Sequence, residues 1–236
     1  MPIPWLDSAD LEFPSVDIAL TDPDGLLAAG GDLSVERLVL AYQNGIFPWY
    51  EEGQPILWWS PDPRMVLKPE ELNISKSLRK LLRRGRYRLT MDQDFSGVIQ
   101  RCSQSRNDST GTWITNEMQT AYGELHAAGF AHSVEVYNGE DLVGGLYGVA
   151  LGQAFFGESM FSAESNTSKL ALVYLATQLK YWGYKVIDCQ VSSDHLLSLG
   201  AGEVSRDQFT QLLLELVPKA GKSGPWQFEF EPSDEF

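Results

Sequence analysis

Leu142-Val-Gly-Gly-Leu-Tyr-Gly-Val-Ala-Leu-Gly-Gln-Ala-Phe-Phe-Gly-Glu-Ser-Met-Phe161 reads as two strands joined at Leu151-Gly152-Gln153, because β-branched and aromatic residues fill both arms while glycine marks the bend. Gly144, Gly145, Gly148 and Gly157 lie inside the arms. There each glycine weakens a sheet by roughly 0.5 to 1 kcal/mol. One reading is that another backbone or a substrate comes close to the sheet here, with Glu158 set beside the gap in an otherwise apolar strand. A β-bulge or tight sheet contact accounts for the same glycines.

The flanking chain extends this hairpin into a layer. Ala131 to Tyr137 alternates as a strand, and Asn138-Gly139 is a hairpin turn. A helix over 166–182 is apolar nearly all round, through Leu170, Ala171, Leu172, Val173, Leu175, Ala176 and Leu179, and is expected to lie buried on the sheet. Asn166-Thr-Ser168 supplies its cap and Gly183 its end. A strand over 185–191 follows, with Asp188 and Gln190 on one face and Cys189 on the other by the period of two. Antiparallel strands, a helix and a further strand together predict an α+β fold. Ser205-Arg-Asp-Gln208 is a capping box that opens a helix with Phe209, Leu212, Leu213 and Leu216 inward. The acidic tail, Phe228 to Phe236, reads as frayed.

Upstream, residues 1–33 are rich in Pro, Asp and Gly and read as surface loops, with Gly25 and Gly30-Gly31 as turn points. A helix capped by Asp32 or Ser34 runs to Gly45. Ile46-Phe-Pro-Trp-Tyr50 and Ile56-Leu-Trp-Trp-Ser-Pro-Asp-Pro-Arg64 interrupt aromatics with prolines, which argues against regular strands and for a rigid ring platform, either packing or a surface for a flat base. A helix over 74–84 and a strand over 86–91 follow. Asp94 caps a helix that buries Phe95, Val98, Ile99 and Cys102, and Thr115 caps one that buries Met118, Tyr122 and Leu125.

The chain has 236 residues, 43% of them hydrophobic, enough for a substantial core. It lacks both a basic-flanked apolar leader and an apolar run of about eighteen residues, so a cytoplasmic protein with no membrane partner is expected. Cys102 and Cys189 are the only cysteines, and His126, His132 and His195 are scattered, so no metal is expected. The net charge of −14 argues against nucleic-acid binding over the whole surface, yet Lys76 to Arg88 holds seven basic residues and no acidic one. That run is either a solvated helix face or a phosphate-binding patch.

Gly157-Glu-Ser-Met-Phe161 is not a nucleophile elbow, because Phe161 stands where the second glycine is needed. No Gly-x-Gly-x-x-Gly or Gly-x-x-x-x-Gly-Lys occurs, so neither a dinucleotide nor a P-loop site is supported. A carboxylate pair remains, Glu158 and Asp188, on neighbouring apolar strands with Gln190 beside one of them. Such a pair suits cation recognition or general acid/base work, or is a pair of buried acids satisfied by backbone donors.

Gly25-Leu-Leu-Ala-Ala-Gly-Gly-Asp-Leu-Ser34, Gly45-Ile-Phe-Pro-Trp49, Leu57-Trp-Trp-Ser-Pro-Asp-Pro-Arg64, Gly111-Thr-Trp-Ile-Thr115, Ala131-His-Ser-Val-Glu135, Gly144-Gly145, Gly157-Glu-Ser-Met-Phe161, Ile187-Asp-Cys-Gln190 and Ser198-Leu-Gly-Ala201 together resemble the bacterial leucyl/phenylalanyl-tRNA-protein transferases. The resemblance implies an aminoacyltransferase without a cofactor. Such an enzyme moves leucine or phenylalanine from leucyl-tRNA or phenylalanyl-tRNA to the N-terminal Arg or Lys of a protein, marking it for degradation. It also implies a monomer with a small N-terminal α/β domain, here 1–65, and a C-terminal domain, 66–236, similar to the acetyltransferase (GNAT-like) fold.

Roles follow from the resemblance. Asp188 would take the proton of the acceptor amine, with Gln190 orienting it, while chemistry assisted by the terminal ribose hydroxyl is the alternative. Glu158 would place the cationic acceptor or the aminoacyl amine. A gap relieved by the glycines and lined by Leu146, Phe155, Met160 and Leu172 would take the amino-acid side chain, methionine weakly included. Trp49 and Trp113 would contact the terminal adenosine, with Tyr42 and Tyr122 lining the site. Lys76, Lys80, Arg83 and Arg84 would carry the acceptor stem. Two competing functions are a coenzyme-A-dependent acetyltransferase, disfavoured by the glycine-free Ser162-Ala-Glu-Ser-Asn-Thr-Ser168, and a noncatalytic tRNA-binding module.

Overall fold

The computed structural model describes residues 3–107 and 114–230. Two sheets organise it, one of four strands and one of seven. The first contains β1 (Trp5–Leu6), β2 (Leu26–Gly30), β3 (Phe47–Pro48) and β4 (Leu57–Trp59), in the order β1-β2-β4-β3. Helix α1 (Val35–Gln43) lies between β2 and β3 in sequence, and the Ser34 hydroxyl accepts from the Arg37 amide at its start.

This region corrects two expectations. Residues 1–33 are not loops throughout, because Leu26–Gly30 is a strand buried along its whole length. Leu-Leu-Ala-Ala-Gly covers both faces with apolar residues, so it shows neither alternation nor β-branching. The proline-interrupted aromatics do form strands, and short ones suffice because β3 is an edge where Pro48 needs no ladder donor. Arg37, fully buried, ties the N-terminal loop down by donating to the carbonyls of Asp7 (2.8 Å) and Asp10 (2.9 Å).

The second sheet runs β11-β5-β10-β9-β8-β7-β6. Its strands are β5 (Arg64–Leu67), β6 (Arg88–Met91), β7 (Ala131–Asn138), β8 (Asp141–Leu151), β9 (Ala154–Ser162), β10 (Val186–Gln190) and β11 (Gly202–Val204). Helices α2 (Lys76–Arg83), α3 (Phe95–Asn107), α4 (Asn116–Ala127), α5 (Thr167–Tyr181), α6 (Asp194–Ser198) and α7 (Arg206–Leu216) connect them. Strand β5 straddles position 65/66, and one apolar cluster runs from Leu6 and Trp58 of the first sheet to Tyr147 and Phe156 of the second. Helices α3 and α4 join that cluster, whereas α5 joins a second one with Leu146, Phe155 and Ile187 on the other face.

Every pairing in the large sheet is antiparallel except β9 with β10, which α5 links as a crossover. Asn166 does not cap α5 with its side chain; it adopts a left-handed φ of 67°, and the Ser162 hydroxyl accepts from the Ser168 amide instead (2.9 Å). The end of the chain is docked as far as it is described, since Trp226 is 1% exposed and Phe228 and Phe230 pack on Tyr174.

The arm glycines divide between the two readings. A side chain at Gly145 would meet the Val134 carbonyl at 2.7 Å, and one at Gly144 would run into Thr167. At Gly148 it would meet the Phe155 ring at 2.6 Å, so the protein itself fills these three spaces. Gly157 is different, with only the Asp188 carbonyl nearby, at 3.4 Å, among the described residues. Gly148→Ala is therefore expected to destabilise by about 1 to 3 kcal/mol through overpacking. Gly123→Ala in α4, where a side chain meets none of the described residues within 4 Å, should stabilise, by about 0.5 to 1 kcal/mol. Denaturant unfolding of the two variants checks both signs.

Candidate active site

Two bulges face each other across the β9–β10 pair. Between β8 and β9 the register slips, so that Gly157 pairs with Gly148 and Ser159 with Tyr147, leaving Glu158 as the extra residue. Between β10 and β5 it slips between Asp188 and Gln190, with Gln190 at a φ of 64°. Parallel pairing stops at Asp188 opposite Phe156, and beyond that point β9 and β10 run on unpaired to each other. The opening is a cavity of about 450 Å³.

Leu146, Phe155, Met160 and Leu172 all stand on its wall, as expected. The space comes from the parting of the strands and from Gly157, not from all four arm glycines. Trp49 reaches the wall from the first sheet; it is 46% exposed, and its ring lies 5.6 Å from that of Trp59. Cys189 also lines the cavity, against the simple alternation, because the bulge breaks the period of two. Burial and the Asp188 charge push its thiol up, so it stays protonated and is no nucleophile.

Glu158 sits on the cavity wall with 7% exposure. Its carboxylate accepts from the Tyr122 hydroxyl (2.8 Å) and from Gln190 Nε2 (3.1 Å), and the Tyr122 hydroxyl is itself bonded to that of Tyr42. Burial raises the Glu158 pKa from 4.5 to about 7, against the stabilising tyrosine hydroxyls. The two tyrosines, held well above their ordinary range by burial and then by the Glu158 charge, remain neutral donors. Tyr42 and Tyr122 therefore stand behind Glu158 and do not line the cavity.

Asp188 has a different partner. Arg64 Nε and Nη2 hold its two oxygens at 2.9 and 2.7 Å, with Arg64 1% and Asp188 0% exposed. Arg64 also donates to the Gly45 carbonyl (3.1 Å) and lies between the rings of Phe47 and Phe209, 4.8 Å from each. The expected partnership of the Gln190 side chain with Asp188 is not formed; the Gln190 backbone amide bonds Asp188 (2.9 Å) and its side chain serves Glu158.

Sequence reasoning passed over three groups. Arg64 begins an apolar strand with nothing but its position to signal burial. Ser159 Oγ and His195 Nε2 are buried, have no hydrogen-bond partner among the described residues, and belong to residues on the cavity wall. Burial and then Lys169 hold the His195 imidazole below its usual range. Lys76, Lys80, Arg83 and Arg84 are exposed on or just after α2, whose Leu78 and Leu82 join the α5 cluster. Trp113 lies outside the described residues. Among the described residues no group of three His, Cys, Asp or Glu side chains could hold a metal ion, and no helix is long and apolar enough to cross a membrane.

A mixed α/β fold whose apolar slot runs to a carboxylate poised near neutrality, beside a thiol held protonated, has the groups for general acid–base chemistry on an apolar substrate. The sequence comparisons narrow that class. The family described as leucyl/phenylalanyl-tRNA protein transferase matches residues 66–214, and its N-terminal domain matches residues 31–62. The leucyl/phenylalanyl-tRNA–protein transferase of Nitrosospira multiformis is 56% identical over 97% of this chain and 98% of its own. That of Cellvibrio japonicus is 57% identical over 91% of this chain and 92% of its own. The chain belongs to the leucyl/phenylalanyl-tRNA protein transferase family. Among solved structures, the L-PGS of Bacillus licheniformis is 12% identical with a TM-score of 0.40, over 67% of this chain and 51% of its own, a likeness that carries no weight here.

Two outcomes follow for stability. Arg64→Leu leaves Asp188 buried without its cation and is expected to cost about 3 to 5 kcal/mol, read by denaturant unfolding. Between pH 4.5 and about 7 the native Glu158 holds more proton than its unfolded counterpart, so this group's contribution to stability falls as pH rises through that window and levels off above it. Glu158→Gln should remove that fall, which melting temperatures measured across the window will show.

Proposed function

We propose that the protein transfers leucine or phenylalanine from an aminoacyl-tRNA to the N-terminal Arg or Lys of an acceptor protein, with Glu158 as the group that takes the amine's proton. The observation that carries this reading is a carboxylate with a pKa of about 7 at the wall of an apolar slot. An α-amine titrates at roughly 7.7 to 8, so the two groups are matched for proton exchange at neutral pH. The aminoacyl ester is already activated, and the enzyme's work is to hold amine and carbonyl together. The amine nitrogen forms the C–N bond, the ester C–O bond breaks, and the proton held by Glu158 passes to the departing ribose oxygen. Gln190 and Tyr122 orient Glu158, while Asp188 with Arg64 fixes the β10 bulge that presents Gln190.

In this reading the donor side chain lies against Leu146, Phe155, Met160 and Leu172. Such a slot separates side chains that differ by a methylene by only about 1 to 3 kcal/mol, so methionine is accepted weakly. Trp49 offers a face for the terminal adenosine, with Trp113 assigned the same role, and Lys76, Lys80, Arg83 and Arg84 contact acceptor-stem phosphates. The parting of parallel β9 and β10 is read as the donor cleft of an acetyltransferase-like (GNAT-like) domain. The product would be marked for degradation in the cytoplasm, and the enzyme would act as a monomer.

A coenzyme A donor is disfavoured by the start of α5. The first amides of that helix are already engaged, Thr167 N–H by the Glu164 carbonyl (3.3 Å) and Ser168 N–H by the Ser162 hydroxyl (2.9 Å), where a pyrophosphate would need bare amides.

Radiolabelled leucyl-tRNA should label a protein starting with Arg and leave one starting with Asp unlabelled; labelling of neither, with tRNA still retained on a filter, would favour a binding module. Glu158→Gln should lower transfer about 10²- to 10⁴-fold and abolish the rise in rate centred near pH 7, with little change in tRNA binding. Lys80→Ala with Arg84→Ala should instead weaken tRNA binding and reduce its salt slope by about one to two.

A further inference from the structure

Trp226 lies beyond residues 66–214, where the family match ends, and yet its indole is 1% exposed. Its ring lies flat on the His132 imidazole, with centroids 3.7 Å apart and planes 4° from parallel. Trp182 and Tyr184 present their edges to it at 4.9 and 6.0 Å. Asp92 fixes both partners of the stack, since its Oδ2 accepts the Trp226 backbone amide (2.8 Å) and lies 2.7 Å from His132 Nδ1. The indole N–H donates to the Lys222 carbonyl (3.3 Å). Backbone and ring are thus held independently.

Trp226 also meets Phe155, with centroids 5.9 Å apart and planes at 37°. Phe155 is a wall of the slot, and its ring rests over Gly148, where a side chain would come within 2.6 Å. The ring is seated on the sheet by the missing side chain at 148 and backed by the indole.

We propose that Trp226 is a positioning residue that sets the depth of the slot through Phe155, and so the preference between donor side chains, without touching the substrate. The proposal rests on the reading that the slot receives the donor's side chain. Without the indole behind it, the Phe155 ring recedes, the slot deepens, and the larger donor gains on the smaller.

The test compares Trp226→Leu, Trp226→Phe and Met160→Ala, the last altering the wall itself. The ratio of kcat/KM for phenylalanyl-tRNA over leucyl-tRNA is measured for each, with kcat and KM resolved and thermal unfolding followed. Trp226→Leu is expected to raise the ratio about fivefold, somewhat less than one methylene commands, through KM, with a smaller rise for Trp226→Phe. If Met160→Ala shifts the ratio and the Trp226 variants do not, the proposal is overturned while the slot reading stands. An equal loss for both donors, accompanied by a lowered melting temperature, also overturns it, because the indole then only supports the fold. If none of the three moves the ratio, the slot reading fails and the proposal with it. Should Trp226→Leu not fold, Trp226→Phe decides by the same criteria.

Discussion

The ion pair of Arg64 with Asp188 is the constraint around which this molecule closes. Two charges taken out of water are tolerable only when each is paired and its remaining hydrogen-bonding capacity is met. Arg64 meets that demand from β5, through Asp188 of β10, the Gly45 carbonyl after α1, and the rings of Phe47 and Phe209. One guanidinium thereby joins the small sheet, the large sheet and α7. The same pair pins the β10 bulge, since the Gln190 amide also bonds Asp188.

From that bulge the chemistry of the cavity follows. Gln190 leaves the strand at a left-handed φ and reaches Glu158 with its side chain. Glu158 is an extra residue in its own strand, so both groups arrive where β9 and β10 have stopped pairing. Burial then lifts the Glu158 pKa toward neutrality, Asp188 adds to the lift, and the tyrosine hydroxyls and Arg64 oppose it. The tyrosine pair keeps the raised value from running further. A carboxylate balanced in this way changes its charge near pH 7, where an exposed one stays ionised.

Much of the large sheet was legible because local rules and tertiary structure agree there. The hairpin at Asn138-Gly139, the arms over 142–161, the buried helix and the Thr115 cap all have strong local signals, and Cys102 is buried as its helical spacing requires. Leu146, Phe155, Met160, Leu172, Glu158 and Asp188, singled out from the sequence, all line the one cavity between β9 and β10 among the described residues. What escaped is what long-range contacts decide. Leu26–Gly30 has no periodicity to read, since burial on both faces removes it. The bulges overrule alternation and bring Cys189 to the wall. No sequence rule couples Arg64 to a residue in another half of the chain, so Asp188 looked free for proton transfer when it is engaged. The tail from Phe228 looked frayed because its acidic residues mask the two phenylalanines that pack on Tyr174, next to Trp226, which contacts from His132, Asp92, Trp182 and Phe155 bury.

Strand order carries one more implication. Strand β5 lies between β10 and β11 in the sheet, although it is synthesised long before either. Arg64 and Asp188 stand 124 positions apart. At a ribosomal speed of roughly 5 to 20 residues per second, the early strand waits on the order of ten seconds for its neighbours. The N-terminal third therefore emerges with an unanswered cation and an unpaired edge. Closure of the sheet is a late event in the life of the nascent chain, and an interruption of translation between those two residues strands a fragment that has no finished core to fall back on.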